Sequence, residues 1–358
     1  MPGKGTGPSH GGAPRRDPRV GLVLGGGGIL GGAWLIGALH ALVEATGRVG
    51  AEWDPTSARY IVGTSAGSVV GSLVAEGLPT WFMVHHQRGG PVDEWEGMTD
   101  LFGEPLRHAD EGSRRLRTWT GEIPRLVLGS PELVLRSTLQ PWRYPPATAL
   151  SGWVGRGFLS TDEIGRMIRT VAPTGWSSHP NLWIVTLDYA TGRRVVFGHN
   201  GAPPADLWQA VEASCAIPGL YRPVRIEGRL YVDGGVWSPS NLDLLARMDE
   251  AQDAVDVVVA LNPMSSLSPG LPTTIFERIE RRVRAAMGRR LGREARRLHA
   301  RGVRLLLIQP EAEDLEAMGI NLMDPARRAD VLDTAIRTVE RRLNEPDASE
   351  VLADLARR

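Results

Sequence analysis

The sequence contains a single cysteine, Cys215, among 358 residues, and its 41 acidic side chains balance its 41 basic ones. One cysteine cannot form an internal disulfide, and it excludes a zinc site built from several cysteine ligands. This scarcity fits a reducing compartment, so we expect a cytoplasmic location. Because the formal net charge is +0, no overall field attracts nucleic acid or a membrane, although local patches can still do so.

The N-terminal segment lacks the apolar core of a secretory signal peptide. Residues 1–19 are instead rich in glycine, proline and basic side chains. Such a composition buries too little apolar surface to fold by itself. We therefore expect residues 1–18 to form a disordered tail, and the folded part of the chain to begin near residue 19.

Charged side chains are also missing from residues 21–43, apart from the ionisable His40, and this length would suit a transmembrane helix. Four consecutive glycines at residues 25–28 argue against a continuous helix, since each glycine destabilises a helix by about 1 kcal/mol relative to alanine. A buried strand at residues 20–24, a glycine loop and a buried helix at residues 33–45 account better for this stretch. The sequence thus predicts no membrane-spanning segment.

The glycine loop matches the pattern G-x-G-x-x-G at residues 26–31, for which three interpretations compete. A dinucleotide-binding loop needs an acidic residue at the end of a second apolar strand; Glu52 and Asp54 lie near that distance but follow a turn-like segment. A P-loop is excluded because no Gly-Lys-Ser/Thr follows. In the third interpretation, bare glycine amides at a helix N-terminus stabilise the oxyanion that forms when a serine attacks an ester carbonyl.

The third interpretation requires a nucleophile, and Ser65 follows within one βαβ unit. The G-x-S-x-G sequence from Gly63 to Gly67 comes after an apolar run and before a helix-like segment. This pattern is typical of a nucleophile elbow, in which a strained turn raises the serine hydroxyl above the sheet and only small residues fit on either side. Ser65 is therefore a candidate nucleophile, and a tight strand-to-helix turn without chemistry is the alternative.

Further apolar runs bounded by turn residues predict more strands along the chain. One of them, residues 230–232, leads into Asp233-Gly234-Gly235, where the flanking glycines leave the Asp233 carboxylate accessible. Strands interleaved with helices predict a three-layer α/β/α fold with a mostly parallel central sheet. The other predicted strands are residues 20–24, 181–187, 193–197, 255–261 and 303–308, besides the apolar run before Ser65.

Four ordered motifs give the chain a resemblance to patatin-like phospholipases, which are lipid acyl hydrolases that use a Ser–Asp dyad. They are the glycine loop, the serine elbow, the late Asp-Gly-Gly, and the sequence ASCAIPGLYRP at residues 213–223. The resemblance covers residues 18–245. It implies a patatin-like fold, a phospholipid or other acyl-ester lipid as substrate, and neither a metal nor an organic cofactor.

The resemblance also implies roles for individual residues. Ser65 would be the nucleophile and Asp233 the proton acceptor. The amides of Gly26, Gly27 and Gly28 would form the oxyanion hole, and the glycines that support the motifs would be Gly31, Gly63, Gly67, Gly234 and Gly235. Leu30 departs from the pattern, since many members have a basic residue at this position; any charge assistance from it is absent or comes from elsewhere.

The positions of the histidines favour a dyad over a triad. In a Ser–Asp/Glu–His order a histidine follows the acid. The only histidine after Asp233 is His299, which lies in an arginine-dense, helix-like run. An aspartate can accept the serine proton directly if glycine amides hold the developing oxyanion. The alternative for Asp233 is a structural role in a hairpin turn, since Asp-Gly is a common turn pair.

Two regions outside the motifs bear on partners. Residues 80–157 interrupt the α/β alternation and contain Trp81, Trp95, Trp119, Trp142 and Trp153, which suits a lid, an acyl pocket, a lipid-facing surface or a packed helical insertion. The arginine-rich residues 276–304 predict an amphipathic helix with either a solvated face or a peripheral contact with anionic membrane. No motif for binding nucleic acid is present.

The sequence thus divides into the tail, a catalytic domain at residues 19–262 that contains the insertion, and a helical and strand extension at residues 263–358 packed on the same domain. Its predicted function is cleavage of carboxylic esters of lipids. An acyltransferase with the same residues and a non-catalytic lipid-binding protein are the alternatives. The sequence makes no prediction of the oligomeric state.

Overall fold

The computed structural model describes residues 17–89, 129–173, 175–248, 253–265 and 275–357. Most of the predicted tail lies outside these residues, as does the middle of the insertion, including Trp95 and Trp119. The fold below is that of the described residues.

The described residues form a central eight-stranded sheet with helices on both faces. Its strands are β1 (Val20–Leu24), β2 (Tyr60–Thr64), β3 (Leu182–Asp188), β4 (Arg194–Phe197), β5 (Val224–Ile226), β6 (Arg229–Asp233), β7 (Val257–Leu261) and β8 (Arg304–Ile308). The pairing order is β5-β6-β3-β2-β1-β7-β8, with β4 also paired to β3. The β1, β2, β3, β7 and β8 strands run parallel. The three remaining strands join through antiparallel pairs, since β4 and β6 pair with β3 and β5 pairs with β6.

The helices fill the two outer layers. They are α1 (Gly28–Val49), α2 (Ala66–Ala75), α3 (Thr80–Gln87), α4 (Pro131–Leu139), α5 (Pro146–Ser151), α6 (Asp162–Val171), α7 (Leu207–Ser214), α8 (Ile275–His299), α9 (Ala312–Met318), α10 (Arg328–Leu343) and α11 (Pro346–Leu355). Along β1, Leu22 and Leu24 pack into the core with α1, α2, α7 and α10, whereas Val23 packs into the core on the other face with α8. This alternation along one strand produces the three layers.

The α1 helix begins at Gly28, five residues before the predicted start, so the glycine run enters the helix instead of remaining outside it. Packing explains the difference. Gly31 lies close to Pro263, and a Cβ on Gly37 would come within 2.6 Å of the Leu332 carbonyl of α10. Gly28–Val49 is long and apolar enough to cross a membrane, but 78% of its most apolar window is buried inside the protein. Its composition is that of a helix packed between the sheet and α10.

The region after residue 262 contributes to the same sheet. The β8 strand pairs in parallel with β7 from Val257↔Arg304 to Leu261↔Ile308. The α10 and α11 helices pack on α1 and share its hydrophobic core. On α8, Leu291 and Leu298 are buried against the sheet while Arg293, Arg296 and Arg297 are exposed.

Candidate active site

The candidate nucleophile lies on a strained turn between β2 and α2. Ser65 has φ 53 and ψ −123, a conformation that a residue with a side chain rarely adopts. The flanking glycines make the turn possible. A Cβ on Gly67 would collide with the Leu24 carbonyl of β1, and a Cβ on Gly63 would lie 2.6 Å from the Gly67 carbonyl oxygen. The local geometry is therefore that of a nucleophile elbow.

The sheet brings the candidate acid to this turn by an end-to-end meeting of two strands. On β3, Val185 pairs with Thr64 at the end of β2, and the next residue, Thr186, pairs with Asp233 at the end of β6. The β4 strand pairs with residues 184–187 of β3, a range that includes residues paired with β2 and residues paired with β6. Because one edge of a strand cannot pair with two strands at the same residues, β4 occupies the other edge of β3. The β2 and β6 strands thus approach along one edge from opposite directions, and Ser65 and Asp233 meet where they end.

The two side chains are in contact and shielded from water. Ser65 is 6% exposed and Asp233 is 5% exposed. The Ser65 hydroxyl lies close enough to the Asp233 carboxylate to lower its pKa, and the Gly235 amide donates a hydrogen bond of 2.6 Å to Oδ1. Burial raises the pKa of Asp233 to about 6, although the Ser65 hydroxyl and the Gly235 amide favour the charged form and lower it. A carboxylate with this pKa is ionised at neutral pH and basic enough to accept a proton.

The block at residues 213–223 holds the backbones of both residues, which the sequence did not reveal. The Ser214 hydroxyl accepts a hydrogen bond from the Ser65 amide (2.9 Å) and donates one to the Val185 carbonyl (2.7 Å). One turn further on, the Ala216 carbonyl accepts a hydrogen bond from the Asp233 amide (3.0 Å). The block therefore fixes Ser65 and Asp233 relative to each other. The signal in the sequence was its run of small residues at the end of α7 and directly after it.

The glycine loop lies against the serine, but its three predicted donors are not equivalent. The Gly26 amide donates to the Pro239 carbonyl (3.0 Å), so it is already occupied and does not serve as a free oxyanion donor in this structure. Gly26 instead leaves room, since a Cβ there would lie 3.2 Å from the Ser65 Cβ. Within the described part of the chain, the amides of Gly27 and Gly28 have no acceptor. They lie at the N-terminus of α1, where the helix dipole favours a negative charge.

The other positions named from the sequence have structural roles in the fold. A Cβ on Gly234 would come within 2.5 Å of the Val185 carbonyl, and one on Gly31 within 3.2 Å of Pro263. Leu30 is fully buried, so the position that is basic in many members contributes packing here and no charge. Asp54, weighed as a ribose ligand, accepts hydrogen bonds from the Thr56 amide and hydroxyl and begins a short 3-10 helix.

The described histidines are engaged or located away from the dyad. His40 contacts the Thr80 hydroxyl and His179 the Ala58 carbonyl, while His299 is exposed on α8. Cys215 is buried, and burial raises the pKa of its thiol, which makes it a poor nucleophile. Among residues that the structure describes, no group of three or more His, Cys, Asp or Glu side chains could hold a metal ion.

A buried carboxylate on α8 anchors the segment that follows the acid. Glu294 accepts hydrogen bonds from the hydroxyls of Ser238 (2.8 Å) and Ser240 (2.7 Å) and from the Leu242 amide (3.1 Å). It also pairs with Arg290 at 3.1 Å. Because this segment includes the Pro239 carbonyl that holds the Gly26 amide, Glu294 positions the glycine loop from the opposite face of the sheet.

Glu294→Gln is expected to lower the free energy of unfolding by about 2–4 kcal/mol, because the amide nitrogen cannot accept the bonds that a carboxylate oxygen accepts. Urea denaturation would measure this change. The rate at which a serine-directed probe reacts with Ser65 should fall as well. Glu163→Gln, an exposed glutamate paired with Arg166, is the matched control and should change neither quantity. Wild-type stability in Glu294→Gln would contradict the anchoring role.

A serine at positive φ between a strand and a helix, next to a buried carboxylate and a glycine loop, is typical of serine hydrolases built on α/β folds. The family described as patatin-like phospholipase matches residues 22–246, well over half of the chain, so the chain belongs to that family. The predicted family and the predicted three-layer α/β/α fold class are thereby confirmed. Because the family is one of lipid acyl hydrolases, lipid hydrolysis is the class of function that goes with membership.

One solved structure adds a more distant comparison. The crystal structure of VipD from Legionella pneumophila is 14% identical over 92% of this chain and 67% of its own, with a TM-score of 0.39.

Proposed function

We propose that this protein is a serine lipid acyl hydrolase that cleaves carboxylic esters of glycerophospholipids through a Ser65–Asp233 dyad. The observation that carries the proposal is the meeting of β2 and β6 on β3, which places Ser65, on its strained elbow, next to the buried Asp233 carboxylate. Membership of the patatin-like phospholipase family supports the lipid substrate.

In the acylation half of the reaction, ionised Asp233 accepts the proton of the Ser65 hydroxyl while Oγ bonds to the ester carbonyl carbon. The carbonyl electron pair moves onto oxygen, and the amides of Gly27 and Gly28 stabilise the resulting oxyanion. When the tetrahedral intermediate collapses, the bond to the leaving alcohol breaks and Asp233 returns its proton to that oxygen. The lysolipid leaves, and the acyl group stays on Ser65.

In the deacylation half, Asp233 accepts a proton from water, and the water oxygen attacks the acyl-Ser65 carbonyl. The same two amides stabilise the second oxyanion. Collapse breaks the bond to Oγ, which recovers the proton from Asp233, and the free fatty acid leaves. An acceptor alcohol in place of water would give acyl transfer with identical residues, so the product and not the site distinguishes the two reactions.

The proposal is tested by labelling with a fluorophosphonate probe, which reacts only with an activated serine. We expect labelling of the wild type, none in Ser65→Ala, and weak labelling in Asp233→Asn. Ser72→Ala is the matched control, because Ser72 is a buried serine on α2, the helix that follows Ser65, and its hydroxyl bonds only to the Ser68 carbonyl among the described residues. A folded wild type that the probe does not label would overturn the proposal in favour of a non-catalytic lipid-binding protein.

The substrate class is tested by incubating the wild type and Ser65→Ala with a mixed lipid extract and comparing the products by mass spectrometry. Fatty acid and lysophospholipid produced only by the wild type are expected. New acyl esters without free fatty acid would identify an acyltransferase, and an unchanged phospholipid pool would exclude glycerophospholipids as substrates.

A further inference from the structure

A cavity of about 710 Å³ lies between the α4 region and the turn that joins β3 to β4. Three arginines, Arg136, Arg143 and Arg193, line it together with Trp237 and uncharged side chains. None of the described residues around it is acidic. A cavity of this volume is in the range of small-molecule sites, and its charge is of one sign.

The three guanidinium groups are exposed and form no ion pair with any described residue. The neighbouring Arg194 shows the contrast. It is buried and binds the Asp243 carboxylate through two bonds of 2.6 and 3.0 Å. Three uncompensated arginines around one cavity repel each other, so they favour an anionic ligand. Their planar, multiply donating heads are well suited to a phosphate group.

The surface next to this cavity is apolar. Trp142, which is adjacent to Arg143 in sequence, is 79% exposed, and Leu139, which lines the cavity, is 65% exposed. Residues 131–158 contain one acidic side chain, Glu132. The other exposed apolar side chains of this segment are Leu135, Leu150, Trp153, Val154 and Phe158. Exposed indoles and leucines interspersed with arginines are the composition of a surface that enters the headgroup region of an anionic membrane.

Covalent and hydrogen-bonded links join this surface to the dyad. Trp237 follows Asp233 by four residues, and the turn at Thr191 follows β3 directly. The Tyr144 hydroxyl donates to the Thr191 carbonyl (3.2 Å), and the Thr148 hydroxyl donates to the Val236 carbonyl (2.7 Å). The surface thus lies beyond the carboxyl end of β3, the same end of the sheet at which the parallel strand β2 leads into Ser65.

We propose that Arg136, Arg143 and Arg193 bind the phosphate of an anionic phospholipid headgroup, and that Leu139 and Trp142 enter the bilayer beside it, so that this surface docks the protein on the membrane. The arginine-rich α8, the other basic element, is not required for docking. The proposal concerns binding and does not depend on turnover by Ser65.

The test is co-sedimentation of Ser65→Ala, which leaves the lipid intact, with vesicles of phosphatidylcholine alone or mixed with phosphatidic acid. We expect binding to the mixed vesicles, and a loss on the order of a hundredfold in Arg136→Gln/Arg143→Gln/Arg193→Gln, because each basic residue near an anionic surface contributes about a factor of five. The matched control is Arg293→Gln/Arg296→Gln/Arg297→Gln on α8, which removes the same charge. Equal losses in the two triple variants would overturn the proposal, as would no loss in either.

Two further measurements separate the sources of phosphate. Trp142→Ala is expected to weaken vesicle binding while Trp81→Ala, at an exposed tryptophan of α3, leaves it unchanged. Inorganic phosphate is added to vesicle-free protein in a thermal-shift titration. One combined result would overturn docking and assign the cavity to a soluble phosphate. In that result, inorganic phosphate binds only when the three arginines are present, while vesicle binding is unchanged in the triple arginine variant and in Trp142→Ala. Circular dichroism of each variant verifies that it is folded.

Discussion

Asp233→Asn is expected to abolish most turnover and, at the same time, to make the protein more stable at pH 8. The amide cannot accept the Ser65 proton, and removal of a general base typically lowers kcat by about 10²–10⁴. Stability rises because burial raises the pKa of Asp233 from 3.8 to about 6. A shift of two pKa units corresponds to about 3 kcal/mol. Keeping this buried carboxylate ionised at neutral pH lowers the free energy of unfolding by about that amount.

The sign of the pH dependence follows from that direction. A carboxyl group with a raised folded-state pKa favours folding fully below 3.8, and this contribution is lost as pH rises through about 6. The difference in melting temperature between Asp233→Asn and the wild type should therefore be large at pH 8 and small near pH 4. Wild-type turnover should follow the ionised fraction of Asp233 and fall below pH 6.

Calorimetry at several pH values, together with hydrolysis rates, measures both effects. Asp330→Asn, at an exposed aspartate of α10, is the matched control and should alter neither. A melting temperature at pH 8 that is equal to or below that of the wild type would contradict the energetic cost assigned to Asp233. Retained turnover would contradict its role as proton acceptor.

Gly67→Ala is expected to have the largest effect on folding of any single methyl addition near the site. The new Cβ would collide with the carbonyl of Leu24 and lie 2.7 Å from that of Gly25, and neither backbone group can move without disturbing β1. We expect the free energy of unfolding to fall by more than about 3 kcal/mol, with loss of fluorophosphonate labelling.

The control for this variant is Gly288→Ala on α8, where a Cβ would meet open space. Since alanine favours a helix over glycine by about 1 kcal/mol, this variant should be slightly more stable than the wild type and labelled normally. Urea denaturation of the two variants would decide the matter. If Gly67→Ala unfolded at the wild-type urea concentration, the close approach of α2 to β1 would be wrong.

Local sequence signals identified the parts of the site that one segment defines. The G-x-S-x-G pattern determines its own turn, because the glycine spacing and the strained Ser65 belong to five consecutive residues. Asp233 was predicted as a candidate for the same reason, since its two glycines follow it directly. The strand positions were also predictable to within one or two residues, as at β3 and β4, because buried strands read as short apolar runs.

Contacts between distant segments were not predictable. The occupation of the Gly26 amide by the Pro239 carbonyl joins residues far apart in sequence, and no pattern around Gly26 indicates it. The anchoring role of Glu294 could not be predicted either. In the sequence Glu294 is one charged residue among many arginines, and nothing nearby indicates that it is buried. The early start of α1 at Gly28 depends on packing against Pro263, which overrides the low helix propensity of glycine.

The end-to-end meeting of β2 and β6 on β3 has a consequence for biosynthesis. Since one half of the dyad lies near the beginning of the chain and the other well past its middle, a polypeptide still emerging from the ribosome carries its reactive hydroxyl without a base. Under the proposed mechanism, any fragment that stops before Asp233 is expected to be inert toward lipid, whatever else in it has folded. The cell is therefore exposed to this activity only once the later strands have joined the sheet.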